Sequence, residues 1–166
     1  KDWRRRVFDS LSFPTLILRP DMLIVTANQR FFDKSGFRPE DIVGKTCHEI
    51  FYGSKEPCSG DLCPLPKVLA NGEGHTILRE VTLSDGEKVW EVRVFSPIRD
   101  DAGNVIYIME SLRDVTRVKT LERTLEETRE FLEKIIQSSV SAIVAADLDG
   151  TILLMNKVAE DLFGFS

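Results

Sequence analysis

All three cysteines of this 166-residue chain fall within one short segment, in Cys47-His48 and in Pro57-Cys58-Ser59-Gly60-Asp61-Leu62-Cys63-Pro64. Clustered thiols suit a zinc ion, an iron–sulfur cluster or a reversible disulfide. Cys58 and Cys63 stand across a Gly-containing turn, a spacing that lets two thiolates face one ion, and Cys47 is placed to supply a third ligand from the preceding helical turn. For a fourth, the candidates are His48, His75, Asp61, Glu56 or water. Adjacent helical residues project about 100° apart, so Cys47 and His48 rarely share one ion. Spacing alone does not choose among a metal site, a redox-active disulfide and reduced thiols packed in a cap. A permanent structural disulfide is disfavoured in a reducing cytosol.

Other ligands find fewer residues. A haem needs an axial histidine, and the chain has only His48 and His75, with no Cys-x-x-Cys-His attachment motif. Trp90 and Phe95 are placed to stack on a small ligand, although aromatics in strands more often fill cores. No nucleophile with a histidine base, no phosphate-cradling glycine loop and no phosphorylatable-histidine motif occurs, so this stretch is expected not to be an enzyme.

The elements that must position these residues follow from periodicity. A short amphipathic helix with Trp3, Val7, Phe8 and Leu11 on one side is halted by Pro14. Two buried strands, 15–18 and 23–27, flank the turn Arg19-Pro20-Asp21, and Asn28 caps a helix through Gln29–Ser35 that Gly36 ends. Short helices are expected near Pro39, over 45–51 and over 64–70, the last ended by Asn71-Gly72. The period then switches to two. Strands at 77–83, 88–98 and 105–112 are joined by turns at Ser84-Asp85-Gly86-Glu87 and Asp100-Asp101-Ala102-Gly103-Asn104. The expected class is α+β, a five-stranded antiparallel sheet with small helices on one face.

From 114 to 137 the pattern changes again. Val118, Leu121, Leu125, Thr128, Leu132 and Ile135 alternate spacings of three and four, the seam of a two-stranded coiled coil. In a parallel pair Arg117 would meet Glu122 of the second copy, worth about 0.3–0.5 kcal/mol at a surface. Thr128 loosens the seam. A homodimer through this helix is therefore expected.

Shifting the first segment by 128 residues lays Ser10 on Ser138, Asp21 on Asp149, Ile24 on Ile152, Asn28 on Asn156, Asp33 on Asp161 and Gly36-Phe37 on Gly164-Phe165. The expected organisation is a helix at 1–12, a first domain at 13–113, a connector at 114–137 and the opening of a second copy at 138–166. The net charge of -5 argues against nucleic acid as a direct ligand. No apolar run approaches the roughly 18 residues a membrane-spanning helix needs. The segment is expected to be soluble and cytoplasmic, cut from a longer protein whose membrane attachment is open.

The order of these elements, with Asn28-x-x-Phe31, Gly36-Phe37 and Asp114-Val115-Thr116 closing the last strand, resembles a PAS sensory domain, restarting near Phe131. The connector resembles the signalling helix found between such sensors and output domains, with Glu122-Arg123-Thr124 in its core. The resemblance implies a sensor of a bacterial or archaeal signalling protein, most often a histidine kinase, with a downstream output domain and a response regulator as partners. The alternatives are a PAS module of a transcriptional activator or cyclic-dinucleotide enzyme, or a ligand-free dimerisation module. Asp114 and Thr116 are the expected transmission residues. The cysteine block is similar to one in PAS domains of anaerobe-type sensors, except that Tyr52-Gly53 stands where His-Gly is expected. The photoactive flavin of light-sensing relatives is expected to need a cysteine after Asn28, where Gln29-Arg30-Phe31-Phe32 has none, so flavin is set aside with haem.

Overall fold

The structure, a computed structural model, describes residues 3–58, 63–83 and 86–164. It divides into two compact units, one up to Thr116 and one from Arg117 onward. The Ser84-Asp85 pair of the expected hairpin, the candidate ligand Asp61 and the repeat position Phe165 lie outside the described residues.

In the first unit the order is α1 (Trp3–Asp9), β1 (Thr15–Leu18), β2 (Ile24–Ala27), α2 (Gln29–Ser35), α3 (Pro39–Ile42), α4 (Cys47–Tyr52), α5 (Leu65–Asn71), β3 (His75–Thr82), β4 (Lys88–Arg99) and β5 (Val105–Asp114). The strands form one antiparallel sheet in the order β2-β1-β5-β4-β3. The chain lays down an outer hairpin first, and the last strand closes beside it. Leu16 and Leu18 of β1, Ile108 and Leu112 of β5 and Phe95 of β4 form one apolar core with Phe31, Ile42, Leu65 and Val68 from the small helices. The helices thus share one face of the sheet.

Local chemistry explains the helix starts. Asn28, fully buried, accepts hydrogen bonds from the backbone N–H of Phe31 and of Thr15 on one side-chain oxygen and donates to the Phe13 carbonyl. One amide therefore caps α2 and pins it to β1. α4 begins at Cys47, two residues later than periodicity suggests. The reason is tertiary: the Lys45 carbonyl accepts from the Ile24 N–H and the Gly44 N–H donates to the Ile24 carbonyl, so residues 44–46 are occupied beside β2. Thr46 and Glu49 then form the capping box that starts the helix.

The second unit contains α6 (Thr116–Ser138, entered from the last residue of the first unit), β6 (Val144–Ala146), β7 (Ile152–Met155) and α7 (Lys157–Phe163), with β6 and β7 antiparallel. It reproduces the start of the first unit bond for bond. Asn156 accepts from the Ile143 and Ala159 N–H groups and donates to the Ser141 carbonyl, each position 128 residues beyond its counterpart at Asn28. The Gln137 side chain accepts from the Lys157 N–H where the Asp9 side chain accepts from the Gln29 N–H. Gly36 and Gly164 end their helices in the left-handed conformation, at φ 73° and 76°.

Candidate functional site

The three cysteines meet. Cys47 at the start of α4 and Cys63 before α5 are buried, Cys58 is half-buried, and all three line one chamber of about 20 Å³. The chamber's floor is the inner face of the sheet, contributed by Ile77, Arg79, Arg93, Phe95 and Glu110, and Phe51 and Tyr52 close it from α4.

The floor carries charge. Arg93 is nearly buried and binds Glu91 Oε1 through Nε at 2.5 Å and Glu110 Oε1 through Nη1 at 3.1 Å, with its guanidinium 4.0 Å from the Phe51 ring centre. Arg79 donates through Nη1 to the Tyr52 hydroxyl and stacks over that ring at 5.2 Å. Burial raises the Glu110 pKa, against the opposing pull of Arg93. Burial likewise lowers that of Arg79, helped by the Arg93 charge.

Cys47 feels the same surroundings. Burial first, then the charges of Glu110, Cys63 and Cys58, push its pKa from 9.0 to about 12, and burial raises that of Cys63. A thiol so placed keeps its proton at neutral pH, which opposes metal ligation, since metals bind the thiolate. Among the described residues no group of three or more His, Cys, Asp or Glu side chains is arranged to hold a metal ion. Neither candidate histidine lines the chamber. His48 is buried with Nε2 3.0 Å from Thr46 Oγ1, and His75 lies on β3 opposite Phe95.

Trp90 is not brought there either. Strand alternation turns Glu91, Arg93 and Phe95 inward, so Trp90 faces the other side of the sheet. Its backbone has a different role. The Trp90 N–H donates to Thr116 Oγ1 at 2.9 Å and its carbonyl accepts from the Val115 N–H at 2.8 Å. Asp114 Oδ1 accepts from both the N–H and the hydroxyl of Thr116, at 2.9 and 2.6 Å, which lowers the Asp114 pKa. The first residue of α6 is thereby clamped to β4, and Asp114 sits directly opposite Glu91 in the strand register. Glu91, the carboxylate partner of the floor residue Arg93, is one residue from Trp90 along β4.

Sequence reasoning missed Arg79, Glu91, Arg93 and Glu110. The available signal was charge at alternate positions of strongly apolar strands, which reads as a solvated face. On α6 the seam residues Val118, Leu121, Leu125, Leu132 and Ile135 are all exposed, and Thr128 returns its hydroxyl to the Thr124 carbonyl. Two larger clefts flank the chamber. One of about 590 Å³ is lined by Phe51, Tyr52, Ser54, Glu56, Cys58 and Arg79 among others, and one of about 270 Å³ by Phe31, Phe37 and Arg93 among others.

Comparison with known proteins agrees with this architecture. A family described as PAS fold matches residues 8–120, and a second PAS-fold match covers residues 130–166. The chain is 23% identical over 135 residues to a blue-light-activated histidine kinase of Rhizobium johnstonii, covering 78% of this chain and 37% of that protein. It is 28% identical over 88 residues to phototropin-2 of Oryza sativa subsp. japonica, covering 53% of this chain and 10% of that one. The chain thus spans well under half the length of these relatives. A solved RNA-binding light-oxygen-voltage receptor superimposes with a TM-score of 0.62 at 24% identity, over 80% of this chain and 37% of the receptor. Setting flavin aside finds no support among these relatives, one named for blue light and one for light-oxygen-voltage sensing. Space is the relevant test. The chamber beside Cys47 holds about one water and does not fit a three-ring flavin, whereas the 590 Å³ cleft has the volume of small-molecule sites.

Proposed function

We propose that this chain, which belongs to the PAS family, is the sensory module of a signalling protein, in which the state of the chamber between α4 and the sheet biases α6 and, through it, a downstream output domain. A histidine kinase acting on a response regulator is the favoured full-length setting, in line with the named relative. The observation that carries the reading is the clamp from Thr116 to the Trp90 backbone, beside Glu91, which pairs with Arg93 of the chamber floor. Movement of Glu91 along β4 bears directly on the start of α6.

The three thiols support a redox input, and the cleft beside Arg79 supports a small-ligand input, flavin included. The visible absorption spectrum of the purified protein tests flavin. Among the described residues no helix is long and apolar enough to cross a membrane, and a cytoplasmic setting is part of the proposal. The exposed seam of α6 supports a parallel homodimer as the transmitting form.

The test is to insert residues in the middle of α6 of the full-length protein and measure signal-dependent kinase output. Four added residues rotate the seam and are expected to abolish the response, while seven restore the heptad and keep it. Equal effects of the two insertions would overturn the proposal.

A further inference from the structure

Arg79 presents an empty fork. Its Nη1 is engaged by Tyr52, but Nε and Nη2 are both out of contact with solvent and have no hydrogen-bond partner. These two N–H groups lie along one edge of the planar guanidinium, the edge that receives both oxygens of a single carboxylate. The nearest carboxylate does not fill it. Glu91 Oε1 stands 3.8 Å from Nη2 because the same oxygen is held by Arg93 at 2.5 Å, and Glu110 is likewise turned to Arg93. Two carboxylates therefore serve one arginine, and the other is left short.

The position of the fork supplies room. Arg79, Phe51, Tyr52 and Cys58 line both the chamber and the 590 Å³ cleft, so a head group that displaces the side chains covering Nε and Nη2 has space for its body in the cleft. The cleft's own acids limit what that body is. Glu80 is held by Lys88 at 2.7 Å, and exposed Glu56 leaves a negative charge on the lining, which disfavours a second anionic group.

We propose that the cleft is a binding site for a small monocarboxylate, taken up side-on by Nε and Nη2 of Arg79 beside the Tyr52 hydroxyl. The proposal deepens the sensory reading above and rests on it for its meaning, since Arg79 also neighbours Glu91, the residue opposite Asp114 in the strand register. A carboxylate on Arg79 removes the weak attraction that Glu91 now offers it. The ligand thereby acts on the strand end that carries Thr116.

The experiment is calorimetric titration of the full chain with acetate and with butyrate at concentrations in the tens of millimolar, with inorganic phosphate as the comparison. Saturable binding of butyrate is expected, tighter than acetate because its tail enters the cleft, and weakened at least about tenfold in both Arg79→Gln and Arg79→Lys. Glu126→Gln, on α6 and outside the cleft lining, should bind like the wild type. Thermal melts verify folding of each variant, and the lysine variant keeps the charge where the glutamine variant fails to fold. Absence of saturable binding by either carboxylate overturns the proposal. So does full retention of binding in Arg79→Lys, or phosphate binding as tightly as butyrate, since a point charge would then suffice. Any of these failures leaves the outcome of the α6 insertions untouched, so the two readings fail separately.

Discussion

A buried thiol beside carboxylates and other thiols keeps its proton, and this fixes what the chamber's cysteines can do. With a pKa of about 12 in place of 9.0, Cys47 holds about a thousandfold less thiolate at neutral pH. Its alkylation by iodoacetamide in the native chain at pH 8 should be at least a hundredfold slower than in the chain unfolded in urea, followed by mass spectrometry. Comparable rates would place the thiol in solvent. Arg93 is the other decisive residue, because it is hydrogen-bonded to both Glu91 and Glu110. Arg93→Met should destabilise the first unit by about 3–5 kcal/mol, as removal of one partner from a buried pair does, and adding Glu110→Leu should recover part of the loss. Denaturant unfolding of the two variants decides it; equal stability of Arg93→Met and wild type would mean that the floor is hydrated. The site was half legible in the sequence. Cysteine spacing brought the thiols together on paper, but it offered His48, His75 and Trp90 as companions, and the companions are instead two arginines and a glutamate. Ligand-type chemistry is readable from residue type, whereas mutual neutralisation of opposite charges from β3, β4 and β5 requires the register of the sheet.

Strands and caps differ in the same way. Asn28, Gly36, Gly72 and Asp114-Val115-Thr116 act on their immediate neighbours, so the helix ends and the strand-to-helix junction could be read locally. β4 could not be assigned a face, because Trp90, Val92 and Val94 form the more apolar row and yet Glu91 and Arg93 are the buried one. Pairing of those charges with Glu110 across the sheet offsets the cost of the inversion. The Asn28 cap makes a quantitative case. Asn28→Ala removes acceptors from two buried N–H groups and a donor from the Phe13 carbonyl, and should cost about 2–3 kcal/mol in chemical denaturation. A loss below about 0.5 kcal/mol would show that β1 and α2 do not depend on it. The junction has a pH signature of known sign. Hydrogen bonds from Thr116 lower the Asp114 pKa below its ordinary value of 3.8, so the stabilising contribution is complete above the unfolded pKa and is lost only as pH falls through the lower folded value. Acidification from 7 to 5 should therefore leave the Trp90 and Thr116 amide chemical shifts unchanged. Movement of both in that range, absent in Asp114→Asn, would contradict the assignment.

For the molecule as a whole, two beginnings of the same fold stand 128 residues apart, with α6 running between the clamp at Thr116 and the side chain of Gln137 that receives the Lys157 N–H. Both ends of the helix are thus fixed by hydrogen bonds to domain backbone, and rotation or sliding of α6 is available as a signal only if its middle has something to pack against. A single copy offers nothing of the kind, since Leu121, Leu125 and Leu132 are 60, 71 and 52% exposed. The polar faces are satisfied within the helix by Lys119–Glu122, Arg123–Glu127 and Arg129–Glu133 pairs, which leaves the apolar seam as its remaining demand. A second copy, paired in parallel as proposed, would meet that demand. Leu125 is the most exposed of these leucines and lies at the seam's centre, so Leu125→Lys places two facing ammonium groups where two leucines would pack. The change should cost at least about 3 kcal/mol of association, more than a hundredfold in Kd. Sedimentation equilibrium should find the unaltered chain dimeric and Leu125→Lys monomeric at micromolar concentration. Glu126→Lys, outside the seam, should leave the dimer intact. If Leu125→Lys and the unaltered chain associate equally, the seam is not the interface, and transmission through paired α6 helices fails with it.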